Sequence, residues 1–324
     1  MKHALWLAMP LLLLAAQDAP PAPYALATLN VQQGGTRDAE GVYRGGKFKP
    51  VKDFEVPAAH GPRDALIAFE GPGWESDKVA YRLYLDERNV PDIYGKKLPG
   101  PVLPRIGQGK DDYHSMADWG QDILQVNQTL GAGGLGVMRD GKVTQLGHAR
   151  QINARLFSYP GKVTVEVTSS GFSVPGATTG DLTASYSISA GSRITRVGAS
   201  QTGDKAPMVA GIVIHPNTQH FASTSGKWRY IATWGVQSLA NDELGLALFY
   251  PADNVSETGE NNGTFFVRFC NPRMIRYAFA GVWIQEPGAP KDAASFKRWL
   301  DETAAELSGE PEGQVVYMPG APTC

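Results

Sequence analysis

The stretch WESDKVAYRLYLDERNVPDIYGKK, from Trp74 to Lys97, decides how this chain is read. Within it Val79, Tyr81, Leu83 and Leu85 alternate with Ala80, Arg82, Tyr84 and Asp86. That period of two puts successive side chains on opposite faces of a β-strand, so the apolar set faces a core while Arg82, Tyr84 and Asp86 project together on the other side. Runs with the same β-branched and aromatic content recur between turn residues at Ala65 to Glu70, Lys78 to Asp86, Ala154 to Ser158, Lys162 to Thr168, Leu182 to Ser189 and Arg193 to Val197. They continue at Ala210 to His215, Trp228 to Trp234, Leu244 to Tyr250, Thr264 to Phe269 and Ile275 to Gln285. With 37 Gly and 23 Pro punctuating about a dozen such runs, the pattern predicts an all-β fold, a large antiparallel β-sandwich with one or two peripheral helices. Antiparallel pairing follows from the absence of the long helical crossovers that parallel strands need.

Two segments carry helical signals instead. Ser115 is placed to cap a helix over Met116 to Val126, and Asp292 to cap one from Ala293 to Leu307, where Phe296, Leu300, Ala304 and Leu307 recur on one face. The cluster Gly131-Ala132-Gly133-Gly134-Leu135-Gly136 reads as a turn or tight strand, because the Lys-Ser/Thr of a phosphate loop and its βαβ setting are missing.

The ends of the chain set the compartment. Lys2 and His3 precede an apolar run from Ala4 to Ala16 that closes on small residues, the pattern of a secretory signal over residues 1–16. The run is shorter than the roughly 20 apolar residues a membrane span needs. Residues 17–24, rich in Ala and Pro, are expected to be a disordered leader, and residues 25–324 a single domain in the periplasm or the medium. There Cys270 and Cys324, the two cysteines, could pair; the alternative is a buried Cys270 and a free Cys324. A net charge of −2 offers no electrostatic reason for a nucleic-acid or anionic-membrane partner.

Chemistry concentrates around Trp74 to Asp122. His114 is the best candidate for proton transfer, being a histidine beside a second proton carrier, Tyr113; Tyr84 is a further phenol on the Arg82 face. Arg82 and Arg88 suit a carboxylate, their alternative being ion pairs with Glu75, Asp86, Glu87 or Asp92. Trp74 and Trp119 could stack on a sugar ring or anchor the core, and Glu75 could act as a carboxylate partner. On the expected helix Asp118 and Asp122, four residues apart, could orient His114, bind a hydroxyl or hold a cation such as calcium. His215 and His220 form a second group whose spacing does not match a zinc hydrolase, although one of them could reach the site around His114. His60 and His148 need no function in polar, glycine-rich surroundings.

Three linked motifs carry a likeness: Phe69-Glu70-Gly71-Pro72-Gly73-Trp74-Glu75-Ser76-Asp77-Lys78-Val79-Ala80-Tyr81-Arg82, then Asp92-Ile93-Tyr94-Gly95-Lys96, then Tyr113-His114 with Asp118-Trp119-Gly120. Together they resemble the family catalogued as domain of unknown function 4861, over most of the mature chain. Such proteins occur in bacteria that degrade polysaccharides, beside enzymes for uronic-acid-containing glycans, so the resemblance implies carbohydrate metabolism and an oligosaccharide or other polar small molecule as partner. The strand count suits the sandwich of aldose mutarotases or of polysaccharide lyases, a fold-level analogy. The expected activity is β-elimination on uronic-acid oligosaccharides, with Arg82 or Arg88 neutralising the carboxylate and His114 with Tyr113 or Tyr84 moving protons. Mutarotation or epimerisation by a histidine and a carboxylate, and binding without catalysis, are the alternatives.

Overall fold

The computed structural model describes residues 22–108, 113–173, 179–203, 206–310 and 324. The expected signal segment lies outside them. Alternation in the sequence becomes a sandwich of antiparallel sheets. The largest has nine strands, in the order Gln219–Ala222, Trp228–Val236, Glu243–Pro251, Ile275–Trp283, Thr195–Gly203, Gly180–Ser189, Lys162–Phe172, Gln151–Tyr159 and Asp53–Glu55. Along Lys162–Phe172 the residues Val163, Val165 and Val167 are buried while Thr164, Glu166 and Thr168 are half-buried, which is why this strand cannot slip its register by one residue without burying its polar side.

Two five-stranded sheets oppose that face. One runs Ala25–Thr28, Gly73–Ser76, Val79–Leu83, Pro91–Lys96 and Gly120–Asp122; the other runs Lys142–Gln145, Ala132–Arg139, Met208–Val213, Thr264–Phe269 and Val255–Asn261. Aromatic rings lock the layers: Trp74 stacks on Tyr186 at 5.3 Å, and Tyr81 meets Phe279 edge-on at the same separation. The glycine cluster belongs to the strand Ala132–Arg139. Gly133, at φ +128°, lies so close to Phe279 that a Cβ would come within 2.5 Å of its ring, and its carbonyl accepts a hydrogen bond from Tyr277 Oη at 2.7 Å.

The helix Ala293–Gly309 covers the other face of the nine-stranded sheet. Asp292 caps it as expected, accepting from Ser295 N at 2.7 Å in a reciprocal capping box. Phe296, Leu300, Ala304 and Leu307 pack on Trp234 and Phe249, each large apolar side chain contributing about 1.5–3 kcal/mol by burial. Cys270 and Cys324 are joined by a disulfide with Cα atoms 5.6 Å apart. Among the described residues, no helix is long and apolar enough to cross a membrane.

Three expectations fail locally. Residues 65–70 are not a strand: Ala68–Glu70 is a short 3-10 turn, and Ala65, Phe69 and Glu70 have left-handed backbones. The Met116 to Val126 helix does not form either. Gly120 sits at φ +129° and approaches Gly95 O so closely that a Cβ would lie 1.8 Å from it, so Gly120–Asp122 pairs as an edge strand with Pro91–Lys96. Finally, Tyr24 is not part of a disordered leader, because its hydroxyl donates to Glu75 Oε2 at 3.0 Å and receives the Lys96 ammonium.

Candidate functional site

Arg82 organises the site from inside the protein. Its strand Val79–Leu83 pairs with Pro91–Lys96, placing Arg82 opposite Asp92, while Asp122 lies opposite Tyr94 one strand further on. These side chains share one face of the sheet, as the alternation requires. That face is not solvent. Phe69, Val102, Leu103, Ile106 and Tyr113 cover it, leaving Arg82 only 2% exposed. Its Nη2 donates to Asp92 Oδ2 at 2.7 Å, to Asp122 Oδ2 at 3.0 Å and to Tyr84 Oη at 2.5 Å; Nε also reaches Asp92 at 3.1 Å. Nη1 donates to Phe69 O at 3.4 Å and to Tyr113 Oη at 3.5 Å. Tyr84 in turn donates to Asp92 at 2.7 Å.

Arg88 is paired beside it, half-buried. It embraces Asp86 through Nε and Nη2, donates to Glu70 Oε1 at 3.0 Å, and lies 3.5 Å from the centre of the Tyr84 ring. Arg82, 2% exposed, has no open fork for a substrate carboxylate, so its expected substrate-binding role gives way to the ion-pair alternative; Arg88, 24% exposed, spends Nε and Nη2 on Asp86 and Glu70. Tyr84 is sealed in the same way, with burial and the nearby Asp92 carboxylate raising its pKa far above that of a free phenol. Four carboxylates, Glu70, Asp86, Asp92 and Asp122, face these two guanidiniums. Burial first, and then the charge of Asp122, pushes Asp92 up from 3.8 to about 6.

The cluster reaches solvent at His114. The backbone N–H of Asp122 donates to Tyr113 O at 2.7 Å, which pins the Tyr113-His114 pair alongside the edge strand. His114 Nδ1 then lies 3.5 Å from Asp122 Oδ2; the imidazole is 47% exposed and the carboxylate 3%. The Tyr113 and His114 rings are 4.3 Å apart. A buried carboxylate, itself held by Arg82, thus sits against a half-exposed imidazole, an arrangement suited to exchanging protons with a bound molecule. Trp119 is half-buried at the rim, edge-on to Tyr94 at 6.3 Å, and Asp118 is exposed on the turn before Gly120.

The remaining residues scatter. Trp74 is 0% exposed and donates to Thr195 Oγ1 at 2.9 Å, so it is a core anchor and not a sugar platform. Glu75, also fully buried, accepts from Lys96 at 2.8 Å and from the backbone N–H groups of Val102 and Leu103, which ties down the segment covering Arg82. His220 pairs with Glu260 at 2.6 Å on the nine-stranded sheet's edge strand, and burial lowers the pKa of His215, which is held near the Gln125 backbone. No contact joins either to Arg82 or Asp122 among the described residues. Asp118 and Asp122 do not share a helical face, so the expected calcium pair is not assembled; among the described residues no three His, Cys, Asp or Glu side chains are grouped to hold a metal.

One feature escaped sequence reading. His60 Nδ1 lies 2.8 Å from Asp64 Oδ2, and Asp64 also accepts from Arg37 Nη2 at 2.7 Å and from Leu66 N at 3.0 Å. These contacts overcome burial and lower Asp64 from 3.8 to about 2. The His60-x-x-x-Asp64 spacing was visible, but the distant Arg37 that completes the cluster was not. No curated protein matches the chain. The model of the family described as Domain of unknown function (DUF4861) matches residues 13–312, which span the sheets, the Arg82 cluster and His114, and the chain belongs to that family.

Proposed function

We propose that this protein is an acid–base enzyme acting on a hydroxylated small molecule, a sugar or sugar acid, with His114 as the group that exchanges the proton. The observation that carries the reading is the half-exposed imidazole set against a buried, arginine-held Asp122. Asp122 supports the imidazolium that forms when His114 takes a proton, and the buried Arg82 keeps Asp122 in place. The carbohydrate class rests on the resemblance described above, and the Cys270–Cys324 disulfide supports an exported location.

Isomerisation in the manner of a mutarotase or epimerase fits this geometry better than elimination. It needs only an acid–base pair, whereas elimination from a uronate also needs a cation to neutralise the carboxylate, and Arg82 is sealed on internal carboxylates while Arg88 is paired with Asp86 and Glu70. β-Elimination stays as the second reading because Tyr113 and His114 lie side by side, able to act as base and acid. The test is to follow anomer exchange of a panel of sugars and uronates by NMR, and ultraviolet absorbance of unsaturated product from uronic-acid oligosaccharides, with wild type and His114→Ala. Exchange lost in the variant supports isomerisation; unsaturated product lost in the variant supports elimination. Binding with neither reaction means a carbohydrate-binding protein and sinks the enzyme reading.

A further inference from the structure

A second concave feature lies at the small ribbons between the sheets, separate from the contacts of His114. A half-open cavity of about 320 Å³ lies between the strand Asn30–Gln33, the hairpin Thr36–Arg37 with Tyr43–Arg44, and the segment from Val51 to Leu66. That is the lower end of the range for small-molecule sites. Its walls combine apolar surface from Val31, Phe54 and Leu66 with the polar side chains of Gln33, Arg37 and Tyr43.

The surroundings of this cavity are built at a cost to the fold. His60 is 3% exposed, and its Nε2 is buried without a hydrogen-bond partner. Four non-glycine residues in the following loop, Arg63, Ala65, Phe69 and Glu70, hold left-handed backbones at φ 62°, 59°, 42° and 65°. Strain of this density persists where the surrounding structure fixes a geometry for use. What it fixes is Arg37. Asp64 takes one N–H of the guanidinium, Gly41 O takes another at 2.7 Å, and His60 and Leu66 N hold Asp64. Arg37 keeps further N–H groups beyond these two bonds and lies 6.0 Å from the Tyr43 ring centre.

We infer that this cavity binds a neutral hydroxylated ring the size of one pyranose. The apolar wall matches the C–H face of such a ring, and Gln33, Arg37 and Tyr43 supply donors and acceptors for its hydroxyls. Neutrality follows from charge: Asp64 already balances Arg37, so the cavity offers an anion no surplus cation. The choice of a sugar as the ring rests on the function proposed above, while the existence of the site rests on the cavity and the fixed Arg37. The same loop touches the Arg82 cluster, through Phe69 O to Arg82 and Glu70 to Arg88, so a unit bound here would lie one loop away from the residues behind His114.

Saturation-transfer NMR on the full mature chain tests this, using methyl glycosides of glucose, galactose, xylose and rhamnose as probes and glucuronate as the anionic control. Wild type and His114→Ala should both saturate at least one neutral glycoside. Gln33→Trp fills the cavity from an exposed strand position and should abolish the signal, and Arg37→Met should weaken binding about tenfold, the loss of roughly one hydrogen bond. Because Gln33 makes none of the contacts that hold the Asp64 cluster, that variant stays informative even if Arg37→Met fails to fold. The inference is overturned if no neutral glycoside binds, if glucuronate binds more tightly than all of them, or if binding survives Gln33→Trp and is lost in His114→Ala. The last result would leave the function of His114 standing while removing the second site.

Discussion

His114 with Asp122 and His60 with Asp64 are two versions of one pair, and they differ in how much of the imidazole meets water. In both, a histidine Nδ1 faces a buried aspartate that an arginine also holds. His114 is 47% exposed and His60 3%. A histidine that must exchange protons with a ligand needs its second nitrogen accessible; one buried on both sides can only fix its neighbours. Identical residue types therefore stand half-exposed at one place and buried at the other, and that difference separates the proton-transfer role proposed for His114 from the scaffolding role of His60. The arginines differ too. Arg82 lies deep among two aspartates, whereas Arg37 is 26% exposed and shared with a cavity.

The largest way to break this comparison is Arg82→Met. It leaves Asp92 and Asp122 buried without their cation and should cost about 3–5 kcal/mol in denaturant unfolding, whereas the matching Arg37→Met should cost less, about 1–3 kcal/mol, because Arg37 is partly exposed and Asp64 keeps His60 and the Leu66 N–H. Equal losses would mean that the two clusters have the same structural role. Next comes His114→Ala. The rate of whatever reaction the NMR panel reveals should fall about a hundredfold, with unfolding free energy changed by less than about 0.5 kcal/mol. His60→Ala should do the reverse for stability, losing about 1–3 kcal/mol because Asp64 is left short of a partner; a stability unchanged within error would show that His60 is not the scaffold argued for it.

The smallest effect is in the pH dependence, and the two aspartates have opposite signs. Asp64 is depressed from 3.8 to about 2, so its contribution is complete above pH 3.8 and is lost as pH falls toward 2. Asp92 is raised from 3.8 to about 6, so the folded state binds the proton more readily and stability from this group falls as pH rises from about 4 through 6. Denaturant melts at stepped pH should show both slopes, and Asp64→Asn should remove the acid one while leaving the slope between pH 4 and 6. A variant that keeps the acid slope assigns it to another carboxylate.

Legibility in the sequence follows the range of the interactions. Alternation named the face that carries Arg82 and Tyr84, and the spacing of Phe296, Leu300, Ala304 and Leu307 behind Asp292 named the C-terminal helix, because both depend on neighbours within one element. Ser115 offered an equally good cap to a helix that does not exist. Edge pairing with Pro91–Lys96 and the close approach of Gly120 to Gly95 outweigh local propensity there. His60 looked inert for the same reason that Arg82 looked available: their partners lie in other elements, Arg37 in the first case, Asp122 and the covering segment around Leu103 in the second.

The sequence by itself determined that this is an antiparallel β protein and which side chains share a face, and it singled out His114 beside Tyr113 as a candidate for proton transfer. Those conclusions need only the period of a strand and the titration chemistry of single residues. Tertiary structure decided whether each polar face is wet. It buried Arg82 and Tyr84 in an ionic lattice that the half-buried Arg88 completes, brought Asp122 up behind His114, and drew Arg37, His60 and Asp64 together beside a cavity. Burial and pairing between distant segments depend on the whole chain's packing, and no local pattern encodes which carboxylate will finally meet which cation.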